Sequence, residues 1–223
     1  MNTIELLKKL KNYSTFTTID IQRLLASNKR YAEIKIARLL KQKYISRISS
    51  GVYTTNNSIV EIASNIVTPC YLSGWYVSNY KGYTEQIVNT LCVFTTINKK
   101  QITFENYKIK FIKTKYLFGY YKENNTIIAN DNKSLIDAIM YPELFGNFDE
   151  IINIVKKGNF NKSTIIEYLK IINKKSIIKK AGYLLDTYRN IGISELKIDN
   201  NYVILDQFSN TKKIKNKKWK VKI

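Results

Sequence analysis

The fold of the N-terminal part is decided by residues 29–54, KRYAEIKIARLLKQKYISRISSGVYT. The first half has an apolar stripe at the three- and four-residue spacing of one helix face, formed by Ala32, Ile36, Leu39 and Leu40. The second half alternates apolar and polar residues around Ser49-Ser50-Gly51, as β-hairpins with a tight turn do. The segment therefore predicts a helix from about Lys29 to Gln42, followed by a hairpin.

Two further helices are predicted before this segment. Residues 3–11 carry apolar side chains at helical spacing, and Thr17 or Thr18 is a suitable N-terminal cap for the next helix. The apolar positions of that second helix are Ile19, Ile21, Leu24 and Leu25. Helix, helix, short polar turn, helix and hairpin is the element order of a winged helix-turn-helix. We therefore predict such a domain over residues 1–56.

The charge of the chain favours a polyanionic partner. It has 37 Lys+Arg against 17 Asp+Glu, a net charge of +20, and a pI near 9.7. An AT-rich genome would enrich lysine, but it would enrich glutamate as well, so it explains the lysine count better than the net charge. Residues 1–55 carry eleven basic and three acidic residues, including four of the five arginines. These are Arg23, Arg30, Arg38 and Arg47.

We predict that the third helix enters the major groove of double-stranded DNA and that the hairpin lies along the backbone. Arginine suits both tasks, because its planar guanidinium can bond a guanine edge or a phosphate through two hydrogen bonds. The predicted DNA-binding residues are Thr17, Thr18, Lys29, Arg30, Tyr31, Ile34, Lys35, Arg38, Lys41, Arg47 and Ser49. The helix residues are expected to face the groove, and the threonines and hairpin residues to meet phosphates. The alternative is a small three-helix unit for protein contacts, with solvated basic side chains.

Beyond the polar joint at residues 56–58, a mixed α/β C-terminal domain is predicted over residues 57–210, which makes the whole chain α+β. Its predicted helices are residues 58–66, 71–80, 134–140, 148–156, 162–172 and 175–188. Its predicted strands are residues 90–97, 101–105, 108–114 and 126–129, with a last pair at 195–198 and 202–205.

Two segments of this second part allow two interpretations each. Residues 211–223 carry seven lysines around Trp219 and predict a basic tail, either an interaction arm or an edge strand. An aromatic group with Lys81 could be a base-stacking platform, but its spacing of about four matches one helix face, which favours a core. Its members are Tyr71, Trp75, Tyr76, Tyr80 and Tyr83.

The sequence predicts no catalytic residue, metal site or cofactor. The chain contains no histidine, which excludes Ser-His-Asp and Cys-His arrangements. Cys70 and Cys92 stand far apart and fit small core residues in a reducing compartment, and no glycine-rich phosphate loop occurs. We therefore predict that the chain is not an enzyme. A metal-dependent nuclease using scattered carboxylates such as Asp131 and Asp137 is the enzyme alternative.

No apolar run approaches the roughly 20 residues that span a bilayer, and the N-terminus has no signal-peptide layout. We therefore expect a cytoplasmic protein without a membrane partner.

Residues 71–86, YLSGWYVSNYKGYTEQ, and residues 93–96, VFTT, form two consecutive motifs. They resemble the Y-x-S-x-x-S-A-L-x-x-x-G-L-T-E-Q segment and the V-x-T strand that follows it in the AbiEi family of antitoxins and transcriptional regulators. Residues 128–138 look like the A-x-x-E-K-A-L-x-D segment, residues 141–146 follow it as expected, and residues 181–185 are similar to the L-G-Y-L-L element.

The hairpin also takes part in this resemblance. Gly51-Val52-Tyr53 matches the end of the family's wing, although Lys43 stands where a glycine commonly precedes it. Asn132 replaces the usual glutamate of the A-x-x-E segment, and Val77-Ser78 replace the usual Ala-Leu.

The resemblance implies a regulator whose winged-helix head binds inverted repeats in its own promoter. It also implies a second domain that counteracts an AbiEii-like nucleotidyltransferase toxin in a type IV toxin–antitoxin system without forming a stable complex with it. We accordingly expect a monomer or weak dimer that represses its own operon. A stand-alone winged-helix regulator without a toxin partner is the alternative.

Overall fold

A computed structural model describes residues 1–206 and 214–223. Helices account for 42% of the chain and strands for 20%, which confirms the α+β class. The chain divides into two compact units. The first unit is Met1–Leu72, Asn89–Lys115 and Lys122–Ile127, and the second is Ser73–Val88, Tyr116–Tyr121 and Ile128–Ile223. The domain division at residues 56 and 210 stays a prediction.

The N-terminal part of the first unit contains three helices and a small antiparallel sheet. The helices are α1 (Thr3–Leu10), α2 (Thr18–Leu25) and α3 (Lys29–Lys41). The strands are β1 (Phe16–Thr17), β2 (Ser46–Ser49) and β3 (Val52–Thr54), in the order β1-β3-β2. Their common core is formed by Leu6, Leu10, Phe16, Ile21, Ala32, Ile36, Leu39, Ile45 and Tyr53.

Side-chain caps determine where these helices begin. The Oδ1 atoms of Asn2 and Asn28 accept hydrogen bonds from the N–H of Glu5 (2.8 Å) and Tyr31 (2.9 Å). Thr17 caps α2 in the same way, as expected from the sequence. Of the four apolar positions of this helix, Ile21 is buried, whereas Ile19 is 57% exposed.

The hairpin β2–β3 turns at Ser50-Gly51, where Gly51 has a φ of 71° that suits a residue without Cβ. The β2–β3 register shifts between Arg47 and Ser49. Before the hairpin, Lys43 has a φ of 59°. Lys43 thus adopts the left-handed conformation that glycine favours, and it is the position where the AbiEi-like pattern commonly has a glycine.

Strands β4 to β9 form one six-stranded sheet in the order β6-β7-β5-β4-β9-β8. They are β4 (Cys70–Ser73), β5 (Thr90–Thr95), β6 (Ile102–Phe104), β7 (Tyr107–Lys113), β8 (Tyr120–Glu123) and β9 (Thr126–Ala129). Strand β5 pairs parallel with β7, and β6 pairs antiparallel with β7. Helix α4 (Ile59–Asn65), capped by Ser58 as predicted, contacts β5.

Two features of this sheet differ from the prediction. The helix predicted over residues 71–80 is wrong in its first part, because residues 70–73 are all buried and form β4. Gly74, with a φ of 90°, separates that strand from helix α5 (Trp75–Tyr80). A short apolar run can form a buried strand or a helix, and only the sheet decides between them. Strand β8 was not predicted, because its four residues are exposed and do not alternate.

The second unit is mainly helical. Its remaining helices are α6 (Asp131–Met140), α7 (Phe148–Lys157), α8 (Lys162–Ile172) and α9 (Lys175–Arg189), with a 3₁₀ turn at Pro142–Leu144. Helix α6 begins three residues earlier than predicted, because Asn130 caps it by accepting a hydrogen bond from the Lys133 N–H (2.9 Å). Helices α7, α8 and α9 lie where the sequence predicts them.

The predicted hairpin of residues 195–198 and 202–205 is wrong. Strand β10 (Val203–Ile204) instead pairs parallel with β12 (Val221–Lys222), which pairs antiparallel with β11 (Lys215–Asn216). The turn before β10 is held by Lys179 of α9, whose Nζ donates to Asp199 Oδ1 and to the Asn201 carbonyl oxygen, both at 2.5 Å.

Of the predicted basic tail, residues 211–213 lie outside the described residues. The rest contains β11 at the edge and β12 in the centre of the three-stranded sheet β10-β12-β11, so Val221 lies on a central strand and not on the edge strand that the sequence suggested. Trp219 is 3% exposed and its Nε1 donates to Asp186 Oδ2 (3.1 Å). A Cβ on Gly182 of α9 would lie 2.2 Å from the Trp219 ring, so Gly182 is required for this packing.

Candidate nucleic-acid interface

Helix α3 presents one basic face to solvent. Arg30, Ile34, Arg38 and Lys41 follow one another at intervals of three or four residues, and all four are exposed. Their opposite face, with Ala32, Ile36 and Leu39, is buried in the core. Ile34 is 44% exposed and Tyr31 is 52% exposed. Two apolar side chains are thus exposed beside the arginines.

Three of the four arginines of this part of the chain make no polar contact with the described residues. Among the described residues, the guanidinium groups of Arg23, Arg30 and Arg38 have no hydrogen-bond or ion-pair partner. Lys29 forms an exposed pair with Glu33 (3.8 Å), and such pairs contribute little to stability. Arg23, Arg30 and Arg38 can therefore bind an external anion without breaking a bond to a described residue, and Lys29 would give up only a weak pair.

Lys35 lies differently from the other predicted helix residues. It is half-buried, and its Nζ donates a hydrogen bond to Thr3 Oγ1 (2.7 Å). This bond links α3 to α1. Contact between Lys35 and DNA would therefore break or share a bond that helps to position the helix.

Of the residues predicted to contact phosphates, only Arg47 is exposed. Arg47 of β2 is exposed, with Cζ 5.6 Å from the centroid of the Tyr53 ring. Thr18 and Ser49 are half-buried. The Thr17 hydroxyl donates to Asp20 Oδ2 (2.7 Å) and accepts from the Asp20 N–H (3.4 Å), so it already stabilises the helix start.

A cleft of about 580 Å³ in the first unit contains none of the predicted DNA-binding residues. It is lined by Thr3, Ile4, Leu7, Lys8, Lys11, Gln42, Tyr44 and Thr55. The predicted interface is therefore an exposed helix face and a hairpin outside this cleft, the elements that fit the groove and backbone of a duplex.

The two carboxylates considered for a nuclease site are each paired with a lysine. Asp131 Oδ1 accepts from Lys81 Nζ (2.8 Å), whereas Asp137 pairs with Lys133 inside the fold. Within residues 1–206 and 214–223, no three cysteine, aspartate or glutamate side chains are grouped to hold a metal ion. Cys70 and Cys92 are buried free thiols. Burial raises the Cys70 pKa to about 11, although a backbone hydrogen bond at Val67 opposes it.

The aromatic group is largely part of a core, as favoured above. Tyr71 and Tyr83 are buried, and Tyr71 stacks on Phe94 with ring centroids 5.2 Å apart. Burial raises the pKa of Tyr83 above its ordinary value, and a hydrogen bond to Asp131 raises it further. Lys81 is held by the Ala129 carbonyl oxygen (2.6 Å) in addition to Asp131.

The sequence prediction did not include the exposed lysines Lys108 and Lys110 on β7. The signal that points to them is their alternation with Ile109, which is buried.

No known family model matches the chain, and a search of the curated proteins finds no significant match. In the part of the chain that the structure describes, no helix combines the length and the apolar character that crossing a membrane requires.

Proposed function

We propose that the chain is a DNA-binding repressor of its own operon and the antitoxin of a type IV toxin–antitoxin system. The observation that carries the first role is the exposed face of α3, where Arg30 and Arg38 have no partner among the described residues. An α-helix fits the major groove of B-DNA, and a bidentate arginine–guanine contact contributes about 1–3 kcal/mol of base discrimination.

In this proposal the N-terminal elements act as a winged helix-turn-helix. Helix α3 is the recognition helix, because its core face is buried against the rest of the unit and its basic face is free. The hairpin β2–β3 is the wing, and Arg47 contacts the backbone of the DNA. Ile34 and Tyr31 supply apolar contact, for example to a thymine methyl group.

The antitoxin role is supported by the resemblance to the AbiEi family. One resembling segment, residues 128–138, begins in β9 and continues into α6. Its lysine and aspartate, Lys133 and Asp137, form a buried ion pair and therefore stabilise the second unit. An antitoxin surface would consist of other, exposed residues.

The repressor role is tested by a mobility-shift titration on the DNA upstream of the gene, with unrelated duplex as competitor. We expect a specific complex that weakens strongly in the Arg30→Gln/Arg38→Gln variant. The matched control is Lys170→Gln/Lys174→Gln, which removes two exposed charges from the second unit. Equal affinity for upstream and unrelated DNA would contradict a repressor.

The antitoxin role is tested by co-expression with the neighbouring gene. Growth arrest by that gene, relieved by this chain, supports the role. If the neighbouring product arrests growth and the chain does not relieve the arrest, the stand-alone regulator is the better interpretation.

The proposal that the chain is not an enzyme has its own test. Purified protein is incubated with duplex DNA and Mg²⁺ or Mn²⁺. Cleavage that co-purifies with the protein would support the nuclease alternative.

A further inference from the structure

Residues 99–115 of the first unit, KKQITFENYKIKFIKTK, are as basic as the proposed DNA-binding helix. They contain six lysines and a single acidic residue, Glu105. The segment contains hairpin β6–β7 and lies outside the predicted winged-helix domain. Its charge therefore needs a separate explanation.

The pleat of β7 places two of these lysines on one side of the strand. Ile109 is fully buried, whereas its neighbours Lys108 and Lys110 are exposed. Across the ladder, Lys108 stands opposite Thr103 of β6, which is exposed as well. The exposed face of the hairpin is thus polar and positively charged.

The carboxylates of the described residues do not pair with most of these lysines. Among the described residues, Lys100, Lys108, Lys110 and Lys113 have no carboxylate within ion-pair distance. Lysines often protect the edge of a sheet against pairing with another chain. That explanation does not apply here, because the edge strand is β6, whereas Lys108 and Lys110 lie on its inner neighbour β7.

The hairpin also lies next to the proposed wing. Strand β6 contacts β2, the strand that carries Arg47, and both strands belong to the first unit. A duplex that follows the wing would therefore continue towards the β6–β7 hairpin. Phosphates occur every 3.4 Å along each DNA strand, so a short extension of the contact reaches several more of them.

We propose that hairpin β6–β7 binds the phosphate backbone of duplex DNA through Lys108 and Lys110, extending the contact made by β2–β3. The inference rests on the proposed DNA binding and adds a second, sequence-independent part to that interface. Lysine suits this task, because its ammonium group acts as a point charge and does not read bases.

An anionic membrane surface offers similar charge but fits less well. Membrane-surface segments combine basic residues with apolar side chains that enter the acyl boundary. Here the residue that stands opposite Lys108 is Thr103, and the next exposed position along β7 is Lys110.

The test measures binding to a fluorescent random-sequence duplex of about 30 base pairs at salt concentrations from about 50 to 300 mM. Each lysine–phosphate contact changes the slope of log K against log[salt] by about 0.9. We expect Lys108→Gln/Lys110→Gln to make the slope less steep by about 1.8. The control Lys170→Gln/Lys174→Gln, which also removes two exposed lysines, keeps the wild-type slope.

Each other outcome contradicts the proposal in a recognisable way. If the upstream fragment binds but the salt slope is unchanged in Lys108→Gln/Lys110→Gln, hairpin β6–β7 does not contact phosphates. The proposed repressor function is then unaffected. If the wild-type protein binds neither the upstream fragment nor the random-sequence duplex, both the repressor function and the hairpin contact are wrong. If the variant loses binding to phosphatidylserine vesicles while the salt slope of its DNA binding is unchanged, hairpin β6–β7 binds an anionic membrane surface instead of DNA. Circular dichroism melting confirms that each variant is folded.

Discussion

In the first unit, the cations of α3 other than Lys35 and those of hairpins β2–β3 and β6–β7 are exposed, and most have no carboxylate nearby among the described residues. In the second unit, Lys133 and Lys179 are buried and Lys81 is largely buried, and each bonds an aspartate. A buried ammonium group is costly unless it is paired and hydrogen-bonded, so these lysines are part of the structure. Net charge alone does not distinguish cations that can bind a partner from cations that stabilise the fold. Burial and pairing do distinguish them. Only the unpaired cations are available to a polyanion.

The same contrast applies to arginine. Arg189, the fifth arginine, donates from Nη1 to the carbonyl oxygens of Lys156 (2.6 Å) and Gly158 (3.0 Å) at the end of α7. It therefore satisfies acceptors that the helix leaves without partners. Arg30 and Arg38 bond no acceptor among the described residues, and in the proposed function they bond DNA instead.

The largest expected effect comes from breaking the buried pair of the second unit. Asp137→Ala leaves the Lys133 ammonium group, whose side chain is 1% exposed, without its carboxylate. We expect the free energy of unfolding to fall by about 3–5 kcal/mol in urea titrations. Glu167→Ala, at an exposed position of α8, should change it by less than about 0.5 kcal/mol.

A compensating variant sharpens this prediction. Replacing both partners, Lys133→Met with Asp137→Leu, removes the buried charges together and should recover most of the lost stability. If Asp137→Ala is as stable as the wild-type protein, the pair is not structural, and the comparison between the units fails.

The next effect concerns binding rather than stability. Arg38→Ala should weaken specific DNA binding by about 1–3 kcal/mol and change the free energy of unfolding by less than about 0.5 kcal/mol, because Arg38 is exposed and without an internal partner. Arg38→Lys keeps the charge but loses the planar fork, so it should restore only part of the affinity. Unchanged affinity of Arg38→Ala in a titration on the upstream DNA contradicts the proposed role of α3.

A smaller effect, on stability alone, is expected at Thr17. This residue was predicted to meet a phosphate, but its hydroxyl is bonded to Asp20. Thr17→Ala should therefore lower the free energy of unfolding by about 1 kcal/mol, the usual contribution of an N-cap, without changing the affinity for DNA. Thr17→Ser retains the cap and serves as control. If Thr17→Ala is folded but binds the upstream DNA more weakly than Thr17→Ser does, the hydroxyl contacts a phosphate after all.

The three helices and the hairpin of the N-terminal part were predictable from the sequence because their signals are local, whereas strand β1 was not predicted. Caps such as Asn28 and Thr17, the apolar stripe of α3 and the Ser-Ser-Gly turn act within a few residues of one another. Strand β4 and the pairing of β10 with β12 depend on partners far along the chain. No local pattern contains that information, so these two predictions failed.

The candidate site was predictable only to the level of a helix face. The spacing of Arg30, Ile34 and Arg38 places them together on any regular helix. Spacing does not reveal that Thr3 holds the Lys35 ammonium group or that Asp20 holds the Thr17 hydroxyl. It also does not reveal that β6 lies against β2, which brings a second set of lysines beside the proposed wing.

The smallest expected effect is the pH dependence of the Asp131 cluster in the second unit. Burial raises the pKa of Asp131, but hydrogen bonds from Lys81, the Asn159 N–H and Tyr83 outweigh it and hold the pKa below the ordinary value of 3.8. A carboxyl whose pKa is lowered by folding stabilises the protein above its unfolded value and loses that contribution as pH falls through the folded value.

Stability should therefore fall below about pH 4 partly because Asp131 takes up a proton and its bond to Lys81 (2.8 Å) weakens. Other carboxyls with lowered pKa values, such as Asp186 and Asp199, contribute in the same range, so the measured quantity is a difference. Urea unfolding from neutral pH downwards should show a shallower acid decline for Asp131→Asn than for the wild-type protein. Parallel curves of stability against pH for the two proteins would mean that Asp131 has the same pKa in the folded and unfolded states. The bond to Lys81 would then contribute nothing to stability, and only the fully buried lysines of the second unit would be structural.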